Sequence, residues 1–428
     1  MSQSRLPEVI SCLSDYDPEA LPVATAQRII RDCIQPVHAA EKVALRSALG
    51  RVLAQDIISP INVPQHDNSA MDGYALRGAD LDPEKEVTLQ IVGTAFAGSA
   101  FEGEPEAGQC VRIMTGAVMP AGCDTVVPQE LTQNALETSV TIPPGAVRQG
   151  DNRRLSGEDL AAGKAALWKG KILRPADLGL LASLGVAEVP VQRRLRVAFF
   201  STGDELRSIG EPLDAGCVYD SNRYTLYGML TRLGCDIIDM GVVKDDPAAL
   251  EAAFRTACEN ADAVITSGGV SVGEADYTKQ MLTKLGDTAF WKINMRPGRP
   301  MAFGRLTSNG NSAWLFGLPG NPVAVMVTFY LFARDALLHM MGAESKPLPL
   351  MRAVCESPIR KKPGRTEYQR GILSVDAAGR RQVRITGSQG SGILRSMSLA
   401  DCIVVLHAEQ GSVSAGDEVD VILFEGLA

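Results

Sequence analysis

The chain has 428 residues, 45% hydrophobic and 21% charged, which is ordinary for a soluble globular protein and too long for one core, so three or more folding units are expected. Its net charge of −8, with a pI near 5.3, argues against a nucleic-acid binder. Nine cysteines without a C-x-x-C pair, alongside four dispersed histidines, argue against structural zinc and for buried thiols in a reducing compartment.

Residues 1–60 read helical. "MSQSRLPEVISCL" lacks the basic-then-apolar order of a signal peptide. Ala26, Ile29, Ile30 and Cys33 follow the i, i+3, i+4, i+7 spacing of a buried helical face after Thr25, and "VALRSALGRVLAQDI" suggests a second helix. From 61 to 159 short runs broken by Gly and Pro suggest an inserted β-rich domain, with 160–190 completing an elongated linker with the N-terminal part.

Residues 191–345 alternate apolar strands with helices: "RVAFFSTGDEL", "SNRYTLYGMLTRLG", "DIIDMGVVKDDP", "AALEAAFRTAC", "DAVITSGG" and "AWLFGLPGNP". That order predicts an α/β domain with a parallel sheet covered on both faces. Gly234 is placed to close one helix, and Asp246-Pro247 to cap and start the next. The apolar run from Val323, "VAVMVTFYLFA", falls short of the ~20 residues of a membrane span, so no membrane and a cytoplasmic location are expected. Residues 346–428 return to short strands with no competing helical pattern, fitting a small barrel or sandwich. Lys346–Arg395 holds 11 Lys and Arg against 3 acids, whereas Met397–Ala428 holds 6 acids and no Lys or Arg. A local basic field in an acidic chain points to a small anionic ligand.

The chemistry concentrates in loops that follow strands, where a parallel α/β sheet binds its ligands. "SGGVSVGEADY" has Gly268 and Gly273 at the spacing of a phosphate-cradling loop, but Glu274 and Asp276 stand where a P-loop carries Lys and Ser or Thr. Glu205 and Asp245 add acids at two other strand ends. Crowded carboxylates repel each other and repel phosphate, and Mg²⁺ removes both problems. Gly268, Gly269 and Gly273 would let backbone N–H groups approach a phosphate, while Glu205, Asp245, Glu274 and Asp276 hold the metal. Any one of these acids could instead be a helix cap, as Asp246 and Asp204 could. "KINMRPGRP" supplies Lys292, Arg296 and Arg299, and "LPGNPV" sets Pro319 and Pro322 at a strand-to-helix turn, an arrangement suited to clamping an anion. In "PQHDNSAMDGYAL", Asp67, Asn68, Ser69 and Asp72 form a dense polar cluster that could equally be a set of Asx turns.

"DNSAMDGYA", "RIMTGA", "STGDEL", "YDSNR", "SGGVSVGEADY", "RPGRP", "GLPGNPV", "PGRTEYQRG" and "GSQGS" together resemble the MoeA family of molybdopterin molybdenumtransferases, from about residue 25 to the end. The resemblance implies a MogA-like α/β domain, a β-rich insertion, an elongated helical part and a C-terminal barrel. It implies Mg²⁺-dependent release of AMP from adenylylated molybdopterin as molybdate supplies molybdenum. It further implies a homodimer with a site shared between subunits, and dealings with the molybdopterin adenylyltransferase and with molybdoenzyme targets. By the same resemblance Asp72, Thr115, Glu205, Asp245, Asp276 and Lys292 serve the reaction. Ser271, Pro319 and Pro322 line the crevice, and Arg370 and Ser391 lie near molybdate. The family commonly has Lys where this chain has Arg296 and Arg299, so charge is kept while a planar fork replaces a point charge. Two other readings are an adenylyltransferase built on the same α/β domain and a receptor-clustering scaffold. "DNSAMDGY" and the barrel argue against the first, and nothing resembling the scaffold fusions' long linker is present.

Overall fold

The structure, a computed structural model, describes residues 21–269, 281–282, 284–344 and 348–424. The helix Val23–Cys33 forms as its spacing requires, burying Ala26, Ile29, Ile30 and Cys33. The second expected helix does not form. Ala40–Ala44 is instead a strand paired antiparallel with Glu188–Gln192, followed by a single 3₁₀ turn at Leu45–Ala48. Long-range pairing overrides local helix propensity here, and Gly50 turns the chain at φ +72°. Ile57–Ile58 pairs with Ala165–Leu167, so the chain leaves this linker and returns to it around the intervening residues. Leu53, Leu173, Leu181, Val189 and Val191 pack its core. Between departure and return, a five-stranded sheet runs in the order Thr125–Pro128, Gly73–Leu76, Gln109–Ile113, Val87–Ala95, Ser139–Ile142.

The central sheet has six strands: β1 (Arg196–Thr202), β2 (Asp236–Val243), β3 (Ala263–Ser267), β4 (Gly286–Lys292), β5 (Pro300–Ser308) and β6 (Asn311–Leu318), in the order β2-β1-β3-β6-β5-β4. β2, β1, β3 and β6 are parallel, as the alternation of strand and helix predicts, while β5 and β4 extend the sheet antiparallel. Alternate residues of β1 enter opposite cores. Val197 and Phe199 face the helix Pro322–Met340, whereas Ala198 and Phe200 face α2 (Pro247–Asn260). α1 (Ser221–Arg232) is closed by Gly234 at φ +75°. Pro322–Met340 is 19 residues long and apolar enough to cross a membrane by length and composition, longer than its apolar run suggested. It is a core helix, with 72% of its apolar window buried. A π turn at Phe329–Ala333 interrupts it, and the Gln27 Nε2 donates to the Leu331 carbonyl there at 2.9 Å.

Met351–Cys355, Thr366–Val375, Arg381–Ile385, Cys402–Leu406 and Glu418–Leu423 form a closed five-stranded barrel, the ring completed by Thr366–Val375 pairing with Cys402–Leu406. Contrary to the all-strand expectation, a short helix, Leu394–Ser398, sits between two barrel strands. Met295–Arg296, which follows β4, adds to the barrel as a short parallel strand beside Thr366–Glu367. Eight cysteines among the described residues are free, and burial pushes the Cys110, Cys123, Cys235 and Cys402 thiols up to about 12, as inert core thiols.

Asp246 caps α2, its Oδ2 accepting the Ala249 N–H at 2.9 Å with Pro247 opening the helix. Asp246→Ala is expected to lower stability by about 1 kcal/mol, measured as a shift in the urea midpoint by far-UV circular dichroism.

Candidate active site

Because β1, β2, β3 and β6 run parallel, their carboxyl ends open on the same edge of the sheet. There they bound a cavity of about 550 Å³, lined in part by Glu205, Asp245, Gly268, Gly269 and Pro319. Met295–Arg296 and the loop 389–391 from the barrel complete its wall, so the α/β domain and the barrel share it.

One wall is acidic. Glu205 follows β1 and Asp245 follows β2. Asp204 ties the two loops together by accepting the Asp245 N–H at 3.3 Å, so it is a loop brace rather than a helix cap. The Glu205 carboxylate lies over the backbone of Gly203, where an added Cβ would stand 2.6 Å from it. Gly268 has φ +94° and packs so closely on β1 that a Cβ would sit 2.7 Å from the Thr202 carbonyl oxygen. The same cavity is also lined by Arg296, Arg299 and Arg365. A lining that carries both signs of charge suits a ligand with both phosphate and a divalent cation.

The expected metal set is only partly open to test. Glu274, Asp276, Ser271 and Gly273 lie outside the described residues, and no cluster of three or more metal-ligating side chains occurs among the described ones. Glu205, Asp245 and the Thr202 hydroxyl are hard oxygen donors on one cavity, and the Thr202 Oγ1 is buried without a hydrogen-bond partner. That donor chemistry fits Mg²⁺.

Not every expected residue faces this cavity. Lys292 ends β4 and Pro322 begins the core helix, but neither lines it. Asp72 and Thr115 lie apart in the β-rich region, joined by two bonds: the Asp72 Oδ1 accepts the Thr115 N–H at 2.6 Å and the Thr115 hydroxyl at 2.7 Å. The hydroxyl bond first, and the backbone bond second, hold Asp72 below the usual carboxylate range. Its neighbour Asp67 instead accepts from Arg153 and from the Ser156 N–H, while Ser69 closes a local turn onto Met71. Ser391 lines the cavity, whereas Arg370 lies behind the wall, 1% exposed. Burial first, and the Arg296 guanidinium second, push Arg370 down to about 10.

Asn222 was not assigned from sequence although "YDSNR" was noted. It lines the cavity and donates to the Ser267 Oγ at 2.7 Å and to the Gly320 carbonyl at 2.6 Å, bracing the end of β3 against the Pro319–Gly320 turn. A signal exists: Asn222 falls on the buried stripe of α1 with Leu226 and Met229, where a polar side chain requires partners. Arg365 and Gln389, also on the cavity, carried no distinguishing pattern.

Residues 21–185 match the MoeA N-terminal region (domain I and II), 198–339 a probable molybdopterin binding domain, and 352–424 the MoeA C-terminal region (domain IV). A molybdopterin molybdenumtransferase of Haemophilus influenzae is 44% identical over 391 residues, covering 90% of this chain and 94% of the relative. One of Nostoc sp. is 37% identical over 389 residues, covering 89% and 88%. A crystal structure of the molybdopterin biosynthesis moeA protein of Pyrococcus horikoshii superimposes with a TM-score of 0.81 at 28% identity, covering 95% of this chain and 100% of that one.

Gly268→Ala forces a strained φ and a clash with β1 at the cavity floor. It is expected to weaken binding of a phosphorylated pterin by at least about tenfold while the thermal midpoint moves by only a few degrees, on the scale of 1–3 kcal/mol of backbone strain. Calorimetric titration beside a thermal melt measures both.

Proposed function

The chain belongs to the MoeA family of molybdopterin molybdenumtransferases, enzymes of molybdenum cofactor biosynthesis, and we propose that it transfers molybdenum from molybdate to adenylylated molybdopterin with Mg²⁺-dependent release of AMP. The observation that carries this reading is the cavity at the strand ends, lined by both carboxylates and arginines. A ligand with a phosphoanhydride and a bound divalent cation meets both signs of charge.

In this reading the backbone at Gly268 and Gly269, continued by Ser271 and Gly273, cradles the phosphates. Glu205 and Asp245, with Glu274 and Asp276, would hold Mg²⁺, and the bound ion would supply a Lewis acid for the phosphoanhydride. Arg296 and Arg299 meet the charge that develops on phosphate oxygens, and the Pro319–Pro322 turn and Lys292 support that side. Asn222 keeps the Gly268 floor and the Pro319–Gly320 turn at fixed separation. Ser391 and Arg370 serve the molybdate end. Asp72 and Thr115, held together but away from this cavity, act on the site of the partner subunit in a homodimer. The enzyme works in the cytoplasm, receiving its substrate from the molybdopterin adenylyltransferase and passing its product toward molybdoenzymes.

AMP release from adenylylated molybdopterin tests the proposal, with and without molybdate and Mg²⁺, in wild type and Glu205→Gln. The expectation is release that needs both ions and falls by about a hundredfold in the variant, the scale of a lost electrostatic contact in a site. Equal release without molybdate would make the protein a hydrolase of this substrate. Binding of the ligand without any release would overturn the transfer reading.

A further inference from the structure

A second cavity, of about 570 Å³, lies where the helix Val23–Cys33, the core helix and the barrel meet, and it shares no lining residue with the cavity at the strand ends. Val23 and Ile30 line it from the first helix, Phe332 and Ala336 from the core helix, and Tyr368 and Val405 from the barrel. Leu350 also lines it and is 51% exposed. Two sides of this apolar groove are braced by hydrogen bonds. The Gln27 side chain holds the π turn at the Leu331 carbonyl, and the Lys361 Nζ donates to the carbonyls of Ala408 at 3.4 Å and Gln410 at 2.7 Å, fixing the loop 407–409 that completes the lining. A contiguous apolar surface of this kind calls for an occupant.

The chain itself offers one. Of the residues outside the described ones, 345–347 and 425–428 are too short to fill the groove, and 270–280 follows Gly269 at the other cavity. Residues 1–20 join the described chain at Leu21, directly before Pro22, Val23 and Ala24, which line the groove. They precede the family match, which begins at residue 21, and the transfer reaction assigns them no part. In "LPEVISCLSD", Leu6, Val9, Ile10 and Leu13 take the i, i+3, i+4, i+7 spacing of one helical face, with Glu8, Ser11 and Asp15 on the opposite side. Residues 14–20 can reach about 23 Å when extended, ample for a groove that begins at Pro22. So short a tether gives an effective concentration on the order of millimolar, so that even a weak apolar contact is filled.

We propose that residues 6–13 occupy this groove in their own chain, setting Leu6, Val9, Ile10 and Leu13 against Phe332, Ala336, Tyr368 and Val405. The segment is an intramolecular staple: it covers apolar surface contributed by both the core helix and the barrel, and so holds the two together. Removal of that surface from water drives the docking, while Glu8, Ser11 and Asp15 stay hydrated. The filled groove is closed to any other apolar partner.

The test is photo-crosslinking in the full chain, with p-benzoylphenylalanine at position 10, in an equilibrated mixture of nitrogen-15-labelled and unlabelled protein read by mass spectrometry. Cross-links are expected within single chains, on the peptides that hold Phe332 and Ala336 or Tyr368 and Val405. Hydrogen exchange is the second measurement. Ile10→Asp should speed exchange of the peptide covering residues 6–13 by at least about tenfold, the scale of one lost apolar burial. Leu350→Asp should do the same from the groove side without altering the segment, and its exposed position keeps the fold intact. Cross-links that join a labelled to an unlabelled chain would make a second copy the occupant and overturn the proposal. Cross-links away from the groove would also overturn it, as would exchange of residues 6–13 that is unprotected in wild type or indifferent to Leu350→Asp.

Discussion

The cavity depends on one short pairing, in which Met295–Arg296 leaves the α/β sheet and lies parallel to Thr366–Glu367 of the barrel. With it, Arg296 lines the cavity close enough to Arg370 for the two charges to repel, and Gln389, Gly390 and Ser391 of the barrel line it as well. The Val323 N–H to Ser391 carbonyl bond fixes the same closure from the other side. The site is a junction, held by those backbone contacts, by the Asn294 side chain donating to the Gly364 carbonyl at 2.7 Å, and by a core that Tyr368, Met397, Ile403, Val405 and Ile422 of the barrel share with the α/β domain.

Charge is arranged around that junction with a clear division. Acids come from the α/β loops, and cations come from the crossing segment and the barrel. A carboxylate beside Arg370 would neutralise it and cancel its field at the cavity, whereas peptide carbonyls stabilise the cation and leave its charge intact. Burial of a cation in this way is costly, and it lowers the affinity of Arg370 for its proton without making it neutral at pH 7. A buried Lys361 shows the same pattern in the barrel, its Nζ donating to the carbonyls of Ala408 and Gln410.

Much of this was legible in the sequence because it is local. The apolar runs of β1, β3 and β6, the cap at Asp246 and the closure at Gly234 are each encoded within a few residues. The acids at the strand ends could be read because strand ends in a parallel sheet meet. What could not be read depends on distant partners. Val43–Ile57 carries a helical pattern, but Glu188–Gln192 claims its first residues as a strand. The antiparallel extension by β4 and β5 follows from which sheet edge is open, and no short-range pattern states that. The resemblance sets Arg370 near molybdate, but that its guanidinium meets the carbonyls of Ser388, Gln389 and Gly390, 18 to 20 residues further along the chain, is stated by no local pattern.

The central claim is that cleavage and metal transfer are one event at this junction. The most direct measurement is a single-turnover reaction with adenylylated molybdopterin, molybdate and Mg²⁺, counting AMP by chromatography and molybdenum bound to the pterin by elemental mass spectrometry. The account predicts equal amounts of the two products, with neither formed when Mg²⁺ is chelated. AMP without pterin-bound molybdenum, or molybdenum loading without AMP, would contradict it.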